Sequence, residues 1–338
     1  MTTSTQIQLA ARPKGWPTHD NFRTVSVDLP DLAEGEVRVA NEYVSVDPYM
    51  RGRMNEGRSY TAPFELGRVM TGGAVGRVLE SRSDAHPVGA LVLHDLGWRD
   101  VAQGDGGQFR VVDEIDGVPA SAYLGVLGLT GFTAYVGLMH IGGFESGDSV
   151  FVSGAAGAVG SVAGQIARLE GASKVVGSAG SAEKVTTVTE RYGFDAAVNY
   201  KDGPVRSLLR EHFGAQDGEG IDVYFDNVGG DHLEAALDLM NDGGRLALCG
   251  AISAYNATER PAGPDNLANA ITRGLTVRGF TVGGYMGHFK DFAAKVGPWV
   301  ASGDLVYDET VVEGIDNAAD AFLDMMKGAN TGKMVVKI

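Results

Sequence analysis

Apolar positions along this chain recur in two rhythms. Over residues 25–29, 36–46, 72–80, 91–93 and 107–112 apolar and polar residues alternate, with prolines and glycines between the runs. A period of two sends successive side chains to opposite faces, so these runs predict half-buried strands and a small barrel-like β domain up to about residue 120. Near residue 121 the texture changes. Gly128, Thr130, Gly131 and Thr133 lead into an apolar helix through Tyr135 and Leu138, which reads as a crossing between domains. Beyond it, short apolar runs starting at Val150 and at Lys174 and spanning 195–200, 221–225, 245–249 and 275–280 predict six strands, with helices such as 233–240 between them. Six is the number a doubly wound sheet of two mononucleotide halves requires. Residues 292–299 and 317–326 read as helices and 333–338 as a terminal strand.

The densest signal lies at 150–177, VFVSGAAGAVGSVAGQIARLEGASKVVG. An apolar run turns through Gly154, Gly157 and Gly160. Val159, Val162, Ala163, Ile166 and Leu169 then follow at three- and four-residue steps, the spacing of a buried helix face. Strand, glycine turn, helix and strand make a dinucleotide-binding unit in outline. The turn would leave the free N–H groups and positive end of the helix open to a pyrophosphate. The spacing is G-x-x-G-x-x-G, and a glycine turn of this kind also arises from packing alone. Where an NAD-preferring unit carries an acidic residue for the ribose, this chain reads Gly177-Ser178-Ala179-Gly180, with Lys184 a few residues on. No carboxylate there repels a 2′-phosphate, so NADP(H) is favoured. Lys184 taken alone also fits an ordinary solvated helix residue.

Ligands of a doubly wound sheet lie beyond the carboxyl ends of its strands. Tyr200 follows the third strand, Asn227 the fourth, the run Cys249-Gly250-Ala251-Ile252-Ser253-Ala254-Tyr255 the fifth, and Phe280-Thr281-Val282 the sixth. Asn227 reads equally as a cofactor ligand and as a turn asparagine. Tyr255 reads equally as a hydroxyl acid near the reacting ring and as a loop cap.

Composition narrows the function. A chain of 338 residues, 44% hydrophobic and 21% charged, is of ordinary globular make-up and long enough for two domains. Against 43 acidic residues stand 28 basic ones, and a net charge of -15 argues against nucleic-acid or anionic-membrane partners. One cysteine, Cys249, rules out an intramolecular disulfide and a cysteine-based structural zinc site. The seven histidines form no H-x-H or H-E-x-x-H pair, so no metal is expected. The charge-free runs 117–144 and 149–167 are broken by glycine, and the first also by Pro119 and His140. They read as core and cofactor loop, not as membrane spans. The N-terminal residues lack the apolar region of a signal peptide, so the cytoplasm is expected.

Several motifs in order carry a family resemblance: Val44-Ser45-Val46-Asp47-Pro48-Tyr49-Met50-Arg51, Ala155-Ala156-Gly157-Ala158-Val159-Gly160, Gly193-Phe194-Asp195 with Asn199-Tyr200-Lys201, Tyr224-Phe225-Asp226-Asn227-Val228-Gly229-Gly230, and Cys249-Gly250-Ala251-Ile252-Ser253. Over nearly its whole length the chain resembles the zinc-independent medium-chain dehydrogenase/reductases, within them the leukotriene/prostaglandin reductase and alkenal double-bond reductase group. The resemblance implies an α/β fold, a Rossmann doubly wound parallel sheet with a GroES-like β-barrel catalytic domain. The expected division is 1–120 and 298–338 for the catalytic domain and 121–297 for the NADP-binding domain.

It implies reduction of the C=C bond of α,β-unsaturated aldehydes and ketones by NADPH, with hydride going to the β-carbon, in a homodimer acting on small molecules. Carried over by position, Gly157, Ala158, Val159 and Gly160 hold the pyrophosphate, and Lys184 and Tyr200 the 2′-phosphate. Asn227, Cys249, Gly250, Ala251, Ile252, Ser253, Tyr255, Phe280, Thr281, Val282 and Asn330 line the remaining cofactor. Tyr49 and Tyr255 match the pocket tyrosines, with Tyr255 the candidate hydrogen-bond donor to the substrate carbonyl. The segments 256–267 and 283–288 depart most from the family pattern. A quinone or simple carbonyl reductase is the nearest alternative, and a non-catalytic NADPH-binding protein a more distant one.

Overall fold

The computed structural model describes residues 2–338 apart from 58, 215 and 217. The chain divides into two units, Met1–Gly128 with Glu309–Ile338, and Leu129–Asp308.

In the first unit β1 (Thr2–Leu9) pairs antiparallel with β2 (Phe22–Leu29). Then follow β3 (Glu36–Ser45), the short helix α1 (Tyr49–Arg53), β4 (Ala74–Ser81), β5 (Leu91–His94), β6 (Val101–Asp105) and β7 (Arg110–Val111). Strand β3 is the hub, since β4 and β6 both pair with it antiparallel. Val37, Val39, Val78, Val92, Ala102 and Phe109 form a core on one face of these strands.

The second unit runs α2 (Leu129–Tyr135), β8 (Ser149–Val152), α3 (Gly160–Leu169), β9 (Lys174–Ala179), α4 (Ala182–Thr186), β10 (Ala196–Asn199), α5 (Val205–Leu209), β11 (Ile221–Asp226), α6 (Asp231–Leu239), β12 (Met240–Leu248), α7 (Asn269–Thr272), β13 (Thr276–Gly279) and α8 (Phe289–Ser302). Its six strands are ordered β10-β9-β8-β11-β12-β13, all parallel. This is the doubly wound order, and the direction of winding reverses between β8 and β11. The central strands are apolar on both faces because helices cover both. Phe151 and Tyr224 stack at 5.0 Å within a core that also holds Val176, Leu209, Phe213, Leu239 and Leu246.

The chain then returns to the first unit as β14 (Glu309–Glu313), α9 (Ala318–Met326) and β15 (Lys333–Lys337). Strand β15 lies between β14, to which it is parallel, and β3, to which it is antiparallel. From the start of β15, Lys333 reaches inward to Asp47 at 3.1 Å and donates to the carbonyls of Val46 and Met334. Ser45 Oγ also donates to Asp47, so the buried carboxylate is doubly held.

The chain passes from one unit to the other at 128/129 and 308/309, later in each case than the expected 120/121 and 297/298. A 3-10 turn at Ala120–Leu124 packs on β3 and β4, and the Tyr123 hydroxyl donates to the Asp113 carbonyl. Helix α8 packs its Phe292 against Phe132 and Tyr135 of the second unit. Gln165 of α3 exchanges hydrogen bonds with Val306, and Tyr192 donates to Asp308. The run 107–112 is strand only at Arg110–Val111, because Gly106–Gln108 forms a turn capped by Asp105. Helix α6 stops at Leu239, and β12 starts at Met240, earlier than the expected 245. A register shift separates its first pairing with β11 from the regular ladder beginning at Arg245.

Lys333→Met leaves Asp47 buried without its counter-charge, and loss of one partner of a buried pair costs about 3–5 kcal/mol. The substitution should lower the urea midpoint of unfolding, and adding Asp47→Asn should recover part of the loss. A wild-type midpoint in the single variant would refute the pair's role.

Candidate cofactor and active site

The site is built from loops beyond the carboxyl ends of β8, β9, β10, β11 and β12, all in the second unit. Its anchor is Asp226, the last residue of β11, 1% exposed. One carboxylate oxygen accepts from Ser153 Oγ at 3.0 Å, from the Tyr224 hydroxyl at 2.6 Å, and from the N–H groups of Val228 and Gly229 at 2.9 and 2.8 Å. Hydroxyl and amide donors of this number hold an anion without a counter-cation. The Asp226 carbonyl accepts from Cys249 and Gly250 N–H at 2.8 and 3.0 Å. The loop after β12 is fastened along the loop after β11 by Ile252 N–H to the Asn227 carbonyl. Ser253 adds both its N–H and its hydroxyl to the Val228 carbonyl.

Asn227 is spoken for on its donor side: Nδ2 donates to the Ser153 carbonyl at 2.7 Å, tying β11 to the end of β8, while its backbone N–H goes to Ser153 Oγ. These bonds show the turn role, and they place Asn227 beside the loops after β8 and β12. On the neighbouring strand, Ser178 accepts from Gly154 N–H through its hydroxyl and from Ala155 N–H through its carbonyl.

The glycine turn itself is tightly packed. Gly154 has φ +63°, a left-handed value that glycine adopts without strain. A Cβ on Gly160, the first residue of α3, would stand 2.4 Å from the Gly154 carbonyl oxygen, so this glycine is needed for helix and turn to close together. Gly157, Ala158 and Val159 are half-buried at the start of α3, where the first N–H groups of a helix lack intrahelical acceptors.

At the far corner, β9 runs through Gly177 and Ser178 to Ala179, further than the apolar run alone indicates, so Gly180 is the first residue beyond it. A Cβ on Gly180 would lie 2.6 Å from the Tyr200 hydroxyl, which stands over its backbone. Ser181 caps α4 by accepting from Lys184 N–H. The Lys184 ammonium is pushed below its ordinary pKa by burial first and by Lys201 second, with Glu183 opposing. Two neighbouring cations in a chain of charge -15 form a local basic corner suited to an anion. Beside Tyr200 lies His232, 5% exposed, whose buried Nε2 has no hydrogen-bond partner among the described residues.

Tyr255 is half-buried, and its hydroxyl oxygen accepts from Ala251 N–H at 3.4 Å. Burial raises its pKa, the Ala251 contact lowers it, and Cys249 and Asp226 raise it further. The phenol therefore stays protonated at neutral pH, and among the described residues none accepts its proton. Cys249 follows β12, and burial with the nearby Asp226 pushes its thiol up to about 12. It is a protonated, weakly nucleophilic group at neutral pH. Gly250, Ala251, Ile252 and Ser253 form the backbone between them, with Ala251 and Ser253 exposed. After β13, Phe280 N–H donates to the Leu248 carbonyl, its ring lies over Gly137, Thr281 is exposed and Val282 half-buried.

Two expected residues belong to the first unit. Tyr49 opens α1 with its hydroxyl near Gly72, and burial, then Asp47, raises its pKa. Asn330 precedes β15 and spends Nδ2 on its own turn, donating to the Gly332 carbonyl at 2.8 Å. Among the described residues no cluster of three or more His, Cys, Asp or Glu side chains is arranged to hold a metal ion, and no helix is long and apolar enough to cross a membrane.

The second unit's residues fit a phosphorylated dinucleotide: a glycine turn closed onto a helix start, and a lysine pair beside Tyr200 at the far corner. Residues 5–112 match the model described as the N-terminal domain of oxidoreductase, and residues 158–302 that described as zinc-binding dehydrogenase. The chain is 42% identical to prostaglandin reductase 1 of Sus scrofa, over 96% of this chain and 95% of that one. The chain belongs to the zinc-independent medium-chain dehydrogenase/reductases.

As a member of these medium-chain dehydrogenase/reductases it is an oxidoreductase. It is also 39% identical to the NADPH-dependent curcumin reductase of Escherichia coli K12, over 98% of this chain and 95% of that one. The structure of CurA from Vibrio vulnificus in complex with NADPH superposes with a TM-score of 0.92 at 40% identity, covering 98% of each chain. In the sequence Asp226 and Lys201 stand out only as members of motifs, Ser178 and Gly180 only where a carboxylate is missing, and Ser153 and His232 not at all. A carboxylate closing an apolar strand before Asn-Val-Gly-Gly is the available signal for Asp226. His232 offers none, because its meeting with Tyr200 joins residues from two different strand ends.

Proposed function

We propose that this oxidoreductase uses NADPH to reduce the C=C bond of α,β-unsaturated aldehydes and ketones. The observation that carries the reading is the Tyr255 hydroxyl, protonated, contacted by Ala251 N–H and held at the end of the β12 loop with no acceptor for its proton among the described residues. NADPH, when bound, supplies a hydride to the β-carbon of the substrate. Negative charge then gathers on the substrate carbonyl oxygen, and a hydrogen bond from Tyr255 strengthens as it does so. Such a contact is stronger in the transition state than in the ground state and speeds the reaction. A proton reaching the α-carbon completes the reduction.

Gly157, Ala158, Val159 and Gly160 are assigned to the pyrophosphate, and Lys184 and Tyr200 to the 2′-phosphate. Asn227 through its oxygen, residues 249–253, and residues 280–282 are assigned to the rest of the cofactor. Tyr49 and Asn330 are assigned substrate and cofactor contacts on the family resemblance. Relatives whose names specify NADPH, curcumin and prostaglandin support a reductase of small organic molecules.

A homodimer is part of the same proposal. Strand β13 ends the six-stranded order and is exposed along its length, and Ile271 nearby is 84% exposed. An open edge beside apolar surface favours pairing with another strand. Light scattering should give twice the 35.4 kDa chain mass; a monomer at working concentration would dismiss it.

Removing an electrostatic donor of this kind costs roughly 2 to 4 kcal/mol of activation free energy. Tyr255→Phe should therefore cut enone-dependent NADPH oxidation at least tenfold, leaving NADPH affinity nearly unchanged; undiminished turnover removes Tyr255 from the chemistry. The wild type should oxidise NADPH with an enone and not with its saturated ketone, and the reverse preference would favour carbonyl reduction. Lys184→Ala should raise the KM for NADPH far more than that for NADH, and equal effects would move the phosphate elsewhere.

A further inference from the structure

His232 is the second residue of α6, 5% exposed, and its ring meets the Tyr200 ring edge-to-face at 5.4 Å and 74°. Tyr200 itself is 40% exposed. Its hydroxyl rests over the Gly180 backbone at the end of β9, beside the corner where Lys184 feels the charge of Lys201. A half-exposed tyrosine on a loop has rotameric freedom unless packing removes it. Gly180 constrains the hydroxyl end and His232 the ring. Edge-to-face packing is a favoured geometry for such pairs.

The position of His232 is fixed from below. Its N–H donates to the Gly229 carbonyl, and Gly229 N–H is bound to the Asp226 carboxylate. Among the described residues no hydrogen bond at Nε2 ties the imidazole elsewhere, so its orientation is set by packing, and Tyr200 is the aromatic ring it packs on. A line of contacts thus runs from Asp226 through Gly229 and His232 to Tyr200, joining the ends of β11 and β10.

We propose that His232 is a positioning residue that holds Tyr200 over Gly180, where the Tyr200 hydroxyl meets the 2′-phosphate of the nucleotide. The inference rests on the NADPH reading above and deepens it: selectivity for the phosphorylated ribose depends on a residue that does not touch the phosphate. The ring, not the nitrogen, is what the role needs. Replacement by another aromatic ring therefore preserves it and loss of the ring does not.

Equilibrium binding by calorimetry tests this with 2′,5′-ADP and with 5′-AMP, which lacks the 2′-phosphate, so no turnover enters the readout. His232→Ala should weaken 2′,5′-ADP at least fivefold while changing 5′-AMP less than twofold, and His232→Phe should stay within twofold of wild type for both. Should His232→Ala fail to fold, His232→Leu fills the space without offering a ring edge and carries the same expectation. Unchanged 2′,5′-ADP binding on loss of the ring, equal weakening of both nucleotides, or a His232→Phe variant as weak as His232→Ala would each overturn the proposal. If wild-type protein binds the two nucleotides equally, it is the NADPH reading that fails, an outcome separate from these three.

Discussion

The Asp226 carboxylate is the interaction on which the candidate site depends. A parallel sheet delivers its strand ends to one edge but leaves the loops beyond them unfixed. Here one buried oxygen gathers donors from the residue just past β8, from β11 itself and from the turn after it. The carbonyl of the same residue then takes two N–H groups of the loop after β12. Three strand ends are registered against each other by a residue that need never touch a ligand. The arrangement is consistent with its chemistry, since an anion in a dry interior is tolerated only where several donors converge on it.

That convergence also shapes the groups around it. Cys249 and Tyr255 both lie within reach of the Asp226 charge, and both are held in their protonated forms by burial and by that charge. The thiol is thereby quiet, and the phenol remains a donor. The same loop path leaves the Tyr255 oxygen facing Ala251 N–H, so the hydroxyl is oriented by backbone and not by a second side chain. On the opposite side of the turn, Gly160 and Gly180 mark places where a side chain would collide with a carbonyl oxygen or with the Tyr200 hydroxyl.

Much of the doubly wound sheet is legible in the sequence because its signals are local. Six apolar runs separated by helix-length segments appear as six parallel strands, and the glycine turn at 154–160 sits between β8 and α3. What the sequence conceals is set by distant partners. Strand β1 reads as a polar stretch, TTSTQIQL, and becomes a strand through its full antiparallel register with β2. Strand β14 is hidden between two helices and exists because β15 lies alongside it. The site divides in the same way. Residues just beyond strand ends are found by rule, whereas His232 emerges only when the turn after β11 folds it against a tyrosine from the end of β10. Asn227 is ambiguous between ligand and turn for a physical reason: one side of its amide serves the turn and the other is left over.

The return of the chain has a bearing on how it acquires its structure during synthesis. The dinucleotide-type unit is one uninterrupted stretch, 129–308, and can collapse as soon as it leaves the ribosome. The leading β unit cannot: its sheet lacks β14 and β15, and Asp47 lacks the lysine that answers its charge, until the final segment emerges. The first unit's sheet and its buried ion pair can therefore be completed only after the whole second unit has been synthesised.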